Sequence, residues 1–236
     1  MYFFDPMYLL FLAPAMLLAL WAQWRIRSAY AEASRIPAAS GLNGAQAAYE
    51  VMRAGHVGEV EIEPVAGVMT DHYDPRNKVL RLSEGVYQSR SLAALGIAAH
   101  EAGHAIQDAS HYAPLRIRNG LVPFASFGGG LAWLVIFAGF VLAQVNHALG
   151  NSLVLLGIGA FSLVVVFQLV NLPVEYDASR RARAALIDGG IITHDEAFEV
   201  KKVLDAAALT YVAATLSSVM TLLYFLFRSG LLGGRR

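Results

Sequence analysis

The sequence predicts an α-helical integral membrane protein with about four transmembrane helices. It also predicts a small α+β part at the membrane surface, containing a short antiparallel β element. Three observations carry this expectation. Hydrophobic residues make up 56% of the 236 residues and charged residues 15%, against about 25% charged in soluble domains; mean hydropathy is +0.49. Four charge-free apolar stretches, 7–24, 121–145, 152–170 and 206–227, are each long enough to span about 30 Å of hydrocarbon. Between the first and second stretch the chain turns polar and carries two runs that alternate apolar with polar, VEIEPV and KVLRLS.

Composition also excludes. There are no cysteines, so disulfides, thiolate metal ligands and a cysteine nucleophile are ruled out. A formal net charge of +0 leaves no basic excess to attract nucleic acid.

The first stretch is bounded by Asp5 and Arg25, with Trp21 and Trp24 suited to an interfacial belt. A cleaved signal peptide is the competing reading, but the stretch has neither a basic n-region nor a small-residue cleavage site. Arg25, Arg27 and Arg35 follow it, and the positive-inside rule puts that end in the cytoplasm. Arg235 and Arg236 at the tail carry the opposite orientation signal. Residues 40–54 read as an amphipathic helix, with Leu42, Ala45, Tyr49 and Met52 at helical spacing and Gly55 as its stop. VEIEPV (60–65) and KVLRLS (78–83) read as strands, and TDHYDP (70–75) as the turn before the second. An edge strand there is able to pair with an extended peptide by β-augmentation, or it belongs to a plain structural hairpin.

No Asp, Glu, Lys or Arg occurs from Asn119 to Val174, and the break between two spans falls at NHALGN (146–151). Gly128, Gly129, Gly130 and Gly139 suit close helix packing in lipid. NLPVEYDASRRARAAL (171–186) reads as a helix start with Pro173 in its first turn. THDE at 193–196 reads as a capping box, Thr193 with Glu196, for a helix carrying Lys201 and Lys202. The chain thus divides into an anchor (1–24), a surface part (25–118), a membrane hairpin (119–172), a helical segment (173–205) and a last span with its tail (206–236).

The surface part ends in AAHEAGHAIQ (98–107), which holds His100, Glu101 and His104 in the pattern H-E-x-x-H. Residues four apart share a helix face, so both imidazoles can reach one ion while Glu101 points toward the same space. Two histidines and a carboxylate in so apolar a stretch are expensive to bury without partners. Gly103 inside that helix costs about 1 kcal/mol relative to Ala, which predicts a close backbone approach. The competing reading is a chance match on an Ala-rich helix.

Catalytic zinc takes three protein ligands and leaves a position for water. Two crossings separate the motif from Glu175, so the chain returns to the face it left. Glu175 directly follows an apolar span, where an unpaired carboxylate is costly. A metal offsets that cost, and so does a salt bridge to a nearby arginine. His111 is out of register for H-E-x-x-H-x-x-G-x-x-H, because Gln107 and Ser110 stand where Gly and His are needed. His72 sits in the loop before the strand. Glu175 is therefore the favoured third ligand. Asp108, one turn beyond His104, and Asp177 and Ser179, which flank Glu175, are candidate partners that orient the imidazoles. His72, His111, Tyr112, Tyr176 and Arg180 are candidate oxyanion or substrate contacts.

DHYDPRNKVLRLSEGVY, AAHEAGHAIQ and NLPVEYDASRRA together resemble the YugP family of membrane-bound neutral zinc metallopeptidases, over most of the chain from MYFFDP (1–6) to Lys202. The resemblance implies a zincin-like, gluzincin-type site: one zinc held by His100, His104 and Glu175, with Glu101 as catalytic base. It also implies a multi-pass protein of a prokaryotic cell membrane. The arrangement is similar, more distantly, to the HtpX and CAAX prenyl peptidase families, whose glutamate ligand lies in an E-x-x-x-D segment. Here Ser179 stands in place of that Asp, and Asp177 is the nearest carboxylate for its role.

The expected function is hydrolysis of peptide bonds by a zinc-activated water, with protein or peptide substrates near the bilayer and the site on the cytoplasmic side. Two readings compete with it. A true intramembrane protease would want a longer apolar motif helix, which Ser89, Arg90 and Asp108 interrupt. A non-catalytic scaffold with a structural metal would have no use for Glu101.

Overall fold

The computed structural model describes residues 5–232, apart from the side chain of Phe127. Residues 1–4 of the MYFFDP segment and the tail arginines Arg235 and Arg236 lie outside the described residues. The described residues are mostly helical and form seven helices and three strands: α1 (Pro6–Ala33), α2 (Gly44–Ala54), β1 (Glu61–Val65), β2 (His72–Asp74), β3 (Val79–Ser83), α3 (Glu84–Tyr87), α4 (Leu92–Ala109), α5 (Ala113–Leu142), α6 (His147–Asp188) and α7 (His194–Arg228).

Two compact units emerge. The first comprises residues 1–21, 117–172 and 211–236, and the second residues 22–116 and 173–210. The first unit is built from apolar helical segments around Ile136, Val154, Phe161, Tyr224 and Phe225. Its large side chains also face outward: Leu10, Leu17, Leu134 and Leu156 are each at least 65% exposed. A surface that apolar needs a lipid neighbour. By length and composition α1, α6 and α7 are each able to cross a bilayer. The α5 segments Ala113–Ser126 and Gly128–Leu142 meet at a 43° bend and pass the same test together. Helix bends of this size gather at Pro and Gly, and here Pro123 precedes the bend and the run from Gly128 to Gly130 follows it.

The second unit holds the β element and the motif helix. Its core joins Ala47, Ala48 and Val51 of α2, Leu80 and Leu82 of β3, Leu92, Leu95, Ala98, Ala99 and Ala102 of α4, Ala182 and Leu186 of α6, and Val200 and Val203 of α7. The sheet order is β1-β3-β2. β3 pairs antiparallel with β2 but parallel with β1, which corrects the expectation of an antiparallel element. β3 is buried along Val79, Leu80, Leu82 and Ser83, so it takes the centre, and the intervening β2 folds back onto its far side. TDHYDP is likewise more than a turn. His72–Asp74 is a strand, and the turn begins at Asp74, whose Oδ1 accepts from the backbone N–H groups of Arg76 and Asn77.

α2 starts at Gly44, later than residue 40, because Asn43 and Gln46 form a reciprocal capping box; Gly55 caps its other end as expected. Thr193 and Glu196 cap α7 in the same way. Pro173 does not begin a helix. α6 runs unbroken from His147 to Asp188 with Pro173 inside it. Val174, Ala178, Ala182 and Leu186 recur every fourth residue and are fully buried. Packing of that stripe overrides a proline that costs about 3 kcal/mol in a helix interior.

Candidate metal centre

The site is assembled within the second unit, by α4 and the part of α6 from Pro173 onward. Ser91 caps α4, accepting from the Ala94 N–H, and the helix is buried along most of its length. His100 and His104 project four residues apart, with ring centroids 4.9 Å apart. The expected close approach at Gly103 is present: a Cβ there would lie 2.5 Å from the Ala178 carbonyl oxygen of α6. α6 is therefore seated against the bare backbone of α4, and Glu175, less than one turn before Ala178, comes over the imidazoles.

Glu175 Oε2 lies 3.2 Å from His100 Nε2 and 3.7 Å from His104 Nε2. One ligand atom from each of the three residues lies within 4.8 Å of the others. Ligands at 2.0–2.1 Å in a tetrahedron stand about 3.4 Å apart, so two imidazoles and a carboxylate at these spacings fit a zinc-sized ion. Burial alone would raise the Glu175 carboxyl, but hydrogen bonds to His100 and His104 outweigh it and hold it well below the usual carboxylate range. Burial would lower His104, and its bond with Glu175 raises it instead. Glu101 is pushed up, chiefly by burial, with the two imidazoles opposing and Glu175 and Asp71 adding to the rise.

The outer partners differ from expectation. His100 Nδ1 lies 3.1 Å from Ser179 Oγ, so Ser179 does reach an imidazole. Asp108 does not take that role. Its carboxylate accepts from the Tyr73 hydroxyl at 2.8 Å and from Lys78 at 2.5 Å, pinning the β2–β3 hairpin to α4. Asp177 is bound by Arg180 and Arg181 and reaches His104 indirectly, through one further side chain. That residue is Gln107. It is fully buried, with Oε1 3.1 Å from His104 Nδ1 and its amide nitrogen donating to Val174 O at 2.8 Å and to Asp177 Oδ2 at 3.0 Å. The sequence signal for it was a lone amide three residues after His104 in an otherwise apolar run.

The oxyanion candidates are dispersed. Arg180 is engaged by Asp177, and the Tyr112 ring lies 5.5 Å beneath the Arg181 guanidinium carbon. His72 Nδ1 bonds the Thr70 carbonyl. His111 follows the end of α4 with φ 52, and Tyr176 is half exposed.

The Gly103 contact makes a prediction. Ala at 103 gains about 1 kcal/mol of helix propensity, but its methyl meets rigid backbone, and overpacking of this kind costs about 1–3 kcal/mol. Gly103→Ala should lower the thermal midpoint in detergent and weaken zinc binding together. A midpoint at or above wild type would show that the helices are not in contact there.

Comparison with known proteins places this site in context. A family model described as "Putative neutral zinc metallopeptidase" matches residues 8–230. The chain is 43% identical over 208 residues to the "Putative membrane protease YugP" of Bacillus subtilis (strain 168), covering 88% of this chain and 90% of that relative. No solved structure matches.

Proposed function

This chain belongs to the neutral zinc metallopeptidase family, and from that premise we propose that it is a membrane-bound zinc endopeptidase cutting extended peptide segments near the bilayer. The observation that carries the reading is the convergence of two imidazole nitrogens and a buried carboxylate on one point, with a further carboxylate, Glu101, beside the two histidines on the same helix. A site of purely structural metal has no need of that further carboxylate, which disfavours a scaffold.

In this reading His100, His104 and Glu175 hold one zinc ion. Zinc so held supplies Lewis acidity and lowers the pKa of a bound water from 15.7 toward about 7. Glu101 accepts the proton of the attacking water and returns it to the leaving amine. A carboxylate suits that exchange because it passes one proton within hydrogen-bond reach. β2 is an edge strand of the sheet and is tied to α4 through Tyr73 and Asp108. An extended substrate is held along that edge by backbone hydrogen bonds, which favours unstructured segments over folded ones.

The same reading counts α5 as one bent span, giving four in all. α5 and α6 then form two crossings that return Glu175 to the face carrying α4, and Arg25, Arg27 and Arg35 place that face in the cytoplasm. Reporter fusions in 146–151 and near Lys201 should lie on opposite sides of the membrane, and finding both on one side would break this topology. The function itself is tested by zinc content together with hydrolysis of an unstructured peptide, in wild type and Glu101→Gln. A preparation with all three ligands intact that never retains a divalent metal would overturn the reading.

A further inference from the structure

Gln107 is a fully buried polar side chain that the proposed mechanism leaves unused, and its hydrogen bonds are directional. Its amide nitrogen has two hydrogens, and both are taken: one by the Val174 carbonyl at 2.8 Å and one by Asp177 Oδ2 at 3.0 Å. Both partners are acceptors. Asp177 is held as such by Arg180 and Arg181. Turning the amide over would set its oxygen against two oxygens in a fully buried position and leave those polar atoms unsatisfied. The orientation is therefore determined by its surroundings. Oε1 faces His104 Nδ1 at 3.1 Å, and an amide oxygen has no hydrogen to give. The hydrogen in that contact must come from Nδ1.

A neutral imidazole with hydrogen on Nδ1 has its lone pair on Nε2, the nitrogen that faces Glu175. His100 lacks this constraint. Its Nδ1 meets the Ser179 hydroxyl, which donates or accepts equally well. The two histidines of one motif are thus supported differently, one by a group that dictates its tautomer and one by a group that follows it.

We infer that Gln107 is a positioning residue that fixes His104 in the metal-binding tautomer, and that Asp177 acts on His104 through the Gln107 amide. The inference rests on the reading of His100, His104 and Glu175 as a zinc site. It assigns Asp177 an indirect role: its carboxylate takes one amide hydrogen and so helps hold the Gln107 oxygen toward His104 Nδ1.

The test uses the full-length protein in detergent. Zinc affinity is measured by competition with a chromogenic chelator, and the imidazole tautomer by ¹⁵N chemical shifts of the zinc-free protein. Gln107→Met keeps length and burial but removes the acceptor. It should weaken zinc binding by about 10–100-fold, the range for partners of metal-bound histidines, and should release His104 into a mixture of tautomers. Gln107→Glu alone places two carboxylates together and should also bind weakly. Adding Asp177→Asn should recover part of the lost affinity together with the Nδ1–H signal, since a donor again meets the side chain at 107 while the Val174 carbonyl still faces an acceptor. This rescue separates positioning from packing, and it keeps the inference falsifiable if Gln107→Met does not fold. Wild type that binds zinc while Gln107→Met binds equally well would overturn the relay and leave the zinc site standing, as would zinc-free wild type with no hydrogen on His104 Nδ1. Wild type that binds no zinc would overturn the reading beneath it.

Discussion

Glu101→Gln should leave about one zinc per chain and reduce turnover of an unstructured peptide by about 10²–10⁴-fold, the usual contribution of a positioned general base. The substitution is nearly isosteric, so the packing of α4 is preserved. It removes the ability to take up a proton. The three side chains grouped closely enough to hold a metal ion are His100, His104 and Glu175, and Glu101 is not one of them, so metal content should not follow activity. The pH dependence sharpens the expectation. Burial raises the Glu101 carboxyl, and a base works only when ionised. Protonation of Glu101 disables the base, so the acid limb that it contributes to kcat/KM in wild type should be missing from the residual activity of the variant. Undiminished turnover would remove Glu101 from the mechanism. Loss of zinc would instead make it a ligand.

What the sequence disclosed and what it withheld divide along a physical line. Local periodicity was legible. His100 and His104 are a helical repeat apart, the capping box at Thr193 lies within four residues, and Gly103 declares a close approach by its cost. Glu175 was legible for a different reason: a carboxylate directly after an apolar span needs a partner, whatever the fold. Pairing between distant segments was not legible. The alternation in 60–65 and 78–83 marks two strands but is silent on their relative direction, which depends on β2 passing to the far side of β3. Pro173 reads as a helix start because local propensity has no knowledge of the stripe Val174, Ala178, Ala182 and Leu186. Asp108 and Gln107 show the same limit. Both stand within one turn of His104 on the sequence, yet Asp108 turns to the hairpin and Gln107 to the imidazole. Only the position of α6 and the strands decides which polar side chain serves the histidine.

Glu175→Gln should have the complementary outcome: zinc affinity falls by more than the 10–100-fold expected for an outer hydrogen-bond partner, and peptide turnover falls with it. The reason is that the variant exchanges a charged donor for a neutral amide at the point where both imidazoles converge. Zinc binding is also a stabilising linkage, worth about 4.1 kcal/mol when free zinc is 1,000 times the dissociation constant. Wild type should therefore show a zinc-dependent rise in thermal midpoint that Glu175→Gln lacks. The zinc-free proteins should differ in their acid response. Glu175 is held below its ordinary value by the histidines, so its contribution to stability is present above about pH 4.3, the unfolded glutamate value. It is lost as pH falls further, and the variant should not show that loss. A zinc-dependent midpoint shift as large in Glu175→Gln as in wild type would detach α6 from the metal position. Since Glu101→Gln is expected to keep this shift while losing turnover, the two variants separate holding the ion from moving the proton.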